Sequence, residues 1–302
     1  MKKIILLVAA LAATFATALA EPESTKTFKQ HYNYKDFTAL SLSHSFQTEL
    51  TFADTFSVDV EVPDFIEPYL KVSCLGGKLR IGLEGNLPKD IQRKLNDHPD
   101  RLKAWVTMPA LTSVTMSGAT RLATSGTPRI VDGSLSIDMS GASELQSLEA
   151  QGNGRLSIDL SGASKATLDL SFASEHIDVS GASRLRLNGN SDKVVLDCSG
   201  ASKCQMRGNY VNLKAEVSGS SNINVEGDVD DLDIDASGAS KFDIEGQTLR
   251  AEVELSGVSK GRVTIKEKMK YELSGVSTLK IKDLGATVRG EISRGSKIEY
   301  LK

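Results

Sequence analysis

The chain is poor in several things, and each shortage excludes something. Among 302 residues there are three cysteines, four histidines, seven prolines and one tryptophan, and aromatics make up 5%. Three cysteines cannot staple a domain of this size. The histidines, His31, His44, His98 and His176, show no HxH or HxxxH spacing, so zinc has no support and no cofactor is predicted. Scarce aromatics leave few platforms for a polysaccharide-active enzyme, which would also need paired carboxylates at a cleft. A net charge of −3 argues against nucleic acid as partner. Beyond residue 20 no stretch is apolar for long enough to span a bilayer as a helix, so no transmembrane segment is expected.

The first 20 residues read differently. Lys2 and Lys3 precede an apolar run, and Ala18-Leu19-Ala20 offers a small-residue cleavage site, which together predict a secretory signal peptide over residues 1–20. No cysteine follows that run, so lipid attachment there is not expected.

What is abundant is one phrase, Ser-Gly-Ala-Ser. It occurs at residues 140–143, 161–164, 180–183, 199–202 and 237–240, with near-copies beginning at Ser117, Ser218, Ser256, Ser274 and Ser293. Successive first serines lie 23, 21, 19, 19, 19, 19, 19, 18 and 19 residues apart. A fixed period near 19 is the mark of a solenoid. Counting the first serine as position 1, positions 6 and 8 are mostly apolar, as in Leu185/Leu187 and Ile223/Val225. Positions 15, 17 and 19 follow suit, as in Leu213, Ala215 and Val217. Both sets alternate with polar residues, which predicts two strands per repeat with one face inward. Gly/Asn stretches such as 188–190 and 207–209, and the serine phrase itself, supply the bends. One repeat cannot bury its apolar face alone, so repeats stack. The expected fold is all-β, a parallel β-helix of about ten 19-residue coils over residues 111–302, with Ser, Lys and Asp ladders outside. The period leaves handedness open. Residues 21–110 read as a less regular β portion of the same elongated domain, with a Gly76-Gly77 hairpin and one or two helical turns at 88–95.

Cys198 and Cys204 fall on inward positions and Cys74 on an apparent inward alternation, as buried small apolar residues would. A bridge between Cys198 and Cys204 stays open at this point. Tyr210 reads as a rare outward aromatic.

The stretches DFTALSLSHSFQTELTF at 36–52, IEPYLKVSCLGGKLRIGL at 66–83 and VTMPALTSVTMSGAT at 106–120, followed by serial SGAS coils, resemble the exported bacterial family named for an autotransporter adhesin, head GIN domain. The resemblance implies a β-helix, usually right-handed, in the envelope of a Gram-negative bacterium, in the periplasm or at the cell surface. It suggests adhesion. The sequence departs from the family at Ser43-His44-Ser45-Phe46, where glycine is common, and carries no translocator barrel.

Position 18 is acidic nine times running: Asp138, Asp159, Asp178, Asp197, Glu216, Asp235, Glu254, Glu272 and Glu291. Stacked about 4.8 Å apart, neighbours would repel by roughly 0.8 kcal/mol in a water-like dielectric and about 3 kcal/mol at an effective value near 20. Relief is expected from backbone N–H groups at the corner, from bases at position 5 (Lys165, Arg184, Lys203, Lys241, Lys260, Lys297) or two residues before the acid (Lys214, Lys270, Arg289), or from a divalent cation. The acidic and basic rows, with Asp138, Asp159, Asp178, Asp197, Asp235, Lys165, Arg184, Lys203 and Lys241, are the candidate surface for a ligand. Ten serine phrases without a companion histidine are ladders rather than triads. The expected function is a non-enzymatic envelope binding or adhesion module with a glycan or surface partner. The alternatives are a structural or assembly protein, homo-oligomeric through its solenoid ends, and a β-helical polysaccharide enzyme.

Overall fold

The computed structural model describes residues 26–97 and 101–302; the signal peptide expected at 1–20 lies outside the described residues. The repeat folds as its alternation requires. Strand 203–207 lies parallel and in register between 184–188 and 222–226, and strand 210–217 likewise between 191–198 and 229–236. The coils across 184–236 thus carry two strands each, which run together into one continuous strand at 144–160, 165–179, 241–255 and 260–273, and each strand adds to its counterpart in the coil before. Like residues fall on like: Leu185, Cys204, Ile223 and Phe242 form one inward stack, and Leu196, Ala215, Ile234 and Val253 another. These side chains are buried, at 1% exposure or less. A buried Leu or Ile contributes about 1.5–3 kcal/mol, and stacking supplies that burial along the whole axis.

The serine phrase is the tight corner. Its glycine takes a left-handed conformation, and its third residue donates a backbone N–H to the glycine carbonyl one coil earlier, as Ala182 does to Gly162 (2.7 Å) and Ala201 to Gly181 (2.8 Å). The fourth residue points inward. Ser143, Ser164, Ser202 and Ser259 are buried and donate their hydroxyls to the carbonyls of Ser140, Ser161, Ser199 and Ser256, at 2.6–2.8 Å. Half of the serines expected outside therefore lie within, because a hydroxyl that closes its own turn satisfies itself without water. At the opposite bend, Asn190, Asn209 and Asp228 carry the stack. Each accepts, through its side-chain oxygen, the backbone N–H of Asn209, Asp228 and Gln247 respectively, at 2.8–3.0 Å.

The coiling begins before the first serine phrase. Strands 39–42 and 47–52 stack on 113–116 and 121–125, and Ser43-His44-Ser45-Phe46 forms their corner. His44 occupies the glycine slot at φ 69°, and its carbonyl accepts the Ala119 N–H at 2.5 Å. Its Nδ1 accepts from the Leu83 N–H (3.2 Å) and bonds the Ser43 hydroxyl (2.9 Å), which anchors a non-glycine residue in that conformation. Beneath, strands 78–83 and 103–108 make a further layer, with the helix Lys89–Asn96 inserted where a corner would be. Two antiparallel additions then close this end. Strands 57–63 and 27–32 add beyond 103–108, and 70–75 adds to 78–83 through the left-handed Gly76-Gly77 turn. The switch to antiparallel pairing stops the solenoid's propagation at this end.

Gly200→Ala is expected to destabilise the protein by about 2–4 kcal/mol, because Gly200 sits at φ +76° and a Cβ there would lie 2.6 Å from the Gly181 carbonyl oxygen. Gly85→Ala, which meets nothing within 4 Å, is the control. Thermal unfolding followed by circular dichroism should show a marked loss for the first and almost none for the second.

Candidate functional site

The acidic row exists as one unbroken file. Asp138, Asp159, Asp178, Asp197, Glu216, Asp235, Glu254, Glu272 and Glu291 are register partners in sequence, each on the coil above the last. The like charges are felt. Partial burial, then Asp138 and Asp178 on either side, push the Asp159 carboxyl above its ordinary range. The row keeps to one side of the serine corner.

The basic row runs along the other side. Lys165, Arg184 and Lys203 are consecutive partners, and Lys241 and Lys260 follow after Asn222. The expected neutralisation of the acids by position 5 is not realised: Lys165 bonds Glu144 at 2.7 Å and Lys241 reaches Asp243 at 3.9 Å, both on its own side of the corner. The serine corner, whose glycine and third residue are exposed, lies between the two rows. Among the described residues no corner backbone N–H donates to a position-18 carboxylate either. Position 16 supplies what relief there is. Lys270 lies 3.5 Å from Glu272 and 2.7 Å from Glu252, and His176 lies 3.4 Å from Asp178. Lys214–Asp233 (3.4 Å) and the bidentate Arg250–Asp231 pair (2.6 and 2.7 Å) continue this cross-coil pairing. Hydrogen bonds from their bases hold the Asp231 and Glu252 carboxyls below their usual range. Arg184 and Lys203 have no ion-pair partner among the described residues, so this stretch presents net positive charge. Among the described residues no three His, Cys, Asp or Glu side chains gather in a metal-holding group.

The one tryptophan borders a shallow groove of about 330 Å³ with Glu49, Arg121, Glu144 and Gln146, and the Lys29 ammonium lies 4.9 Å from the ring centroid. Three side chains differ from the reading of the sequence. Tyr210 faces inward at 2% exposure, because it stacks between Ser191 and Val229 on the buried side of its strand. Cys74 lies partly exposed on the strand that closes the end. Glu175, passed over in the sequence, occupies an inward slot held by Leu156 and Val194 in the adjoining coils. The signal for it was present, since Ser174-Glu175-His176-Ile177 puts a carboxylate on the apolar beat. All three cysteines are unbridged.

These features define an elongated parallel β-solenoid with charged rows and no assembled catalytic group among the described residues. The chain belongs to the family described as "Putative auto-transporter adhesin, head GIN domain", which matches residues 36–170 and 173–283. Among solved structures it is similar to a putative adhesin from Parabacteroides distasonis (16% identity, 92% of this chain and 98% of that one, TM-score 0.48) and one from Parabacteroides merdae (12%, 92% and 98%, TM-score 0.40). A protein from Parabacteroides distasonis described as a putative lipid-binding protein is also similar (15%, 92% and 98%, TM-score 0.36). At these TM-scores none of the three carries an activity or a ligand across to this chain. No curated protein matches the chain.

Asp159→Asn should stabilise the protein at pH 7 by a few tenths to about 1 kcal/mol, since it removes two like-charge contacts at a largely exposed site. The raised carboxyl fixes the sign: the folded state holds its proton more tightly than the unfolded chain, so the variant's advantage vanishes in acid and grows as pH rises through the carboxylate range. Melting temperatures at pH 3 and pH 7, in low and high salt, check this; the gain should shrink with salt.

Proposed function

We propose that the protein is an exported, non-catalytic binding module of the bacterial cell envelope that holds a glycan or other surface polymer through many weak, repeated contacts. The observation that carries this reading is the row of Lys165, Arg184 and Lys203 on three successive coils, two of them without an ion-pair partner among the described residues. Equal spacing of like groups suits a polymer with a repeating charge, and several weak contacts on one chain replace a deep pocket through effective concentration. The leader over residues 1–20 and the family to which the chain belongs both support an envelope location.

A second reading, assembly through the solenoid end, draws on strands 287–292 and 297–301, which are paired on one side only, and on exposed Ile292 and Tyr300 nearby. Sedimentation that stays monomeric over a hundredfold concentration range would remove it.

The test of the binding reading is an array of acidic and neutral envelope and host polysaccharides, probed with the wild-type protein and with a triple Lys165→Glu, Arg184→Glu, Lys203→Glu variant. Acidic polymers should bind, with at least a tenfold loss in the triple variant and a steep loss with salt. A triple Asp138→Asn, Asp159→Asn, Asp178→Asn variant should bind equally well or better. Failure of every polymer, or equal binding by the charge-reversed variant, would overturn the assignment. Protease treatment of intact cells reports which side of the outer membrane the module serves.

A further inference from the structure

Glu175 is the anomaly of the interior. Its residue exposure is 1%, and neither carboxyl oxygen has a hydrogen-bond partner of good geometry. In the same stack stand Leu156, Val194, Leu213 and Leu232, any of which would fill the slot with no polar cost. The groups facing it are themselves unusual. From strand 210–217 comes Tyr210, whose hydroxyl is also buried and unpartnered. From strand 203–207 comes Cys204, wholly enclosed, with Cys198 beyond it. Leu156 and Val194 cover Glu175 on the adjoining coils, and no lysine, arginine or histidine acts on it. A buried carboxylate without a counter-charge is intolerable in an apolar interior, so the group is held in its neutral form. Burial raises the Glu175 carboxyl to about 8, with the Phe172 backbone offsetting a little.

Tyr210 is also among the residues bordering an outer groove of about 450 Å³, with Ser171, Phe172, Asn190, Ser191 and Asp228, at the bend where the strand pairing of 144–160 with 165–179 has just shifted register.

We propose that Glu175, together with Tyr210 and Cys204, is an internal proton-binding site that keeps the coil of residues 165–198 closed while the proton is bound and loosens it at this bend when the proton leaves. The sign follows from linkage. The folded state binds the proton more tightly than the unfolded chain, whose glutamate titrates near 4.5. The stabilisation is therefore complete below that value, falls progressively as pH rises toward 8, and is gone above it.

The test uses the whole mature protein in a Cys74→Ala background, with Glu175→Gln and Glu175→Leu beside the parent. Melting temperatures are taken from pH 5 to 9.5. The difference between Glu175→Gln and the parent should widen steadily up to about pH 8 and then level off; a difference constant with pH would overturn the proposal. In parallel, maleimide labelling of Cys198 and Cys204 is followed by peptide mapping at pH 6.5 and 8.5. The ratio of parent to Glu175→Gln labelling rates should rise at least fivefold between the two; charge on Glu175 alone would lower it for Cys204, since that charge holds the thiol protonated. An unchanged ratio would show that the coil does not open. Should Glu175→Gln fold poorly, Glu175→Leu, which copies Leu156 and Leu213, serves as the comparison in both measurements.

Discussion

Each coil of this molecule closes because the glycine at its corner allows the next corner's backbone to rest directly upon it. The glycine carbonyl of one coil accepts an N–H from the next at 2.6–2.8 Å through the regular repeats, an approach that leaves no room for a side chain. From that contact the rest follows. It fixes the register of the strands on both sides, and register decides which residues face in. Once the faces are fixed, like residues must stack on like, which concentrates the core into continuous files and the surface charge into rows. At Ser143, Ser164, Ser202 and Ser259 the fourth serine then seals the corner from within by bonding its own turn.

The same constraint explains why so much of the fold could be read from the chain and why some could not. A corner that must recur at a set interval writes itself into the sequence as Ser-Gly-Ala-Ser, and the alternation on either side announces the strands. His44 hides the first corner, because its left-handed conformation is held by contacts from Leu83 and Ser43 that lie outside the local pattern. The acidic row was legible as a row, but its relationship to the basic one was not. Alternation says which residues point outward, whereas the angle between two outward faces depends on the corner that parts them. Tyr210 was misplaced for a related reason. It follows the Gly208 bend, where the inward beat restarts, and only its partners Ser191 and Val229 show on which side it falls.

The two ends of the solenoid are managed differently from its middle. At the start, antiparallel strands and an inserted helix interrupt the regular pairing, and the hairpin at Gly76-Gly77 turns the chain back. In the middle, cross-coil ion pairs such as Arg250–Asp231 brace a surface whose single-sign file would otherwise strain it. Between these, the buried Glu175 gives one coil a chemical sensitivity that its neighbours lack, and it does so without altering the outline of the surface.

The stacking of corner upon corner also bears on how such a molecule changes in length over generations. A gain or loss of one residue within a coil must be absorbed by a local shift in the strand pairing, as where strands 241–255 and 260–273 slip register at 243–250. A gain or loss of one entire coil leaves every contact type intact, since each coil meets only the two beside it. The natural unit of variation is thus the whole turn. Descendants differing by whole turns would keep the same corners and the same charged files while changing how far the molecule reaches.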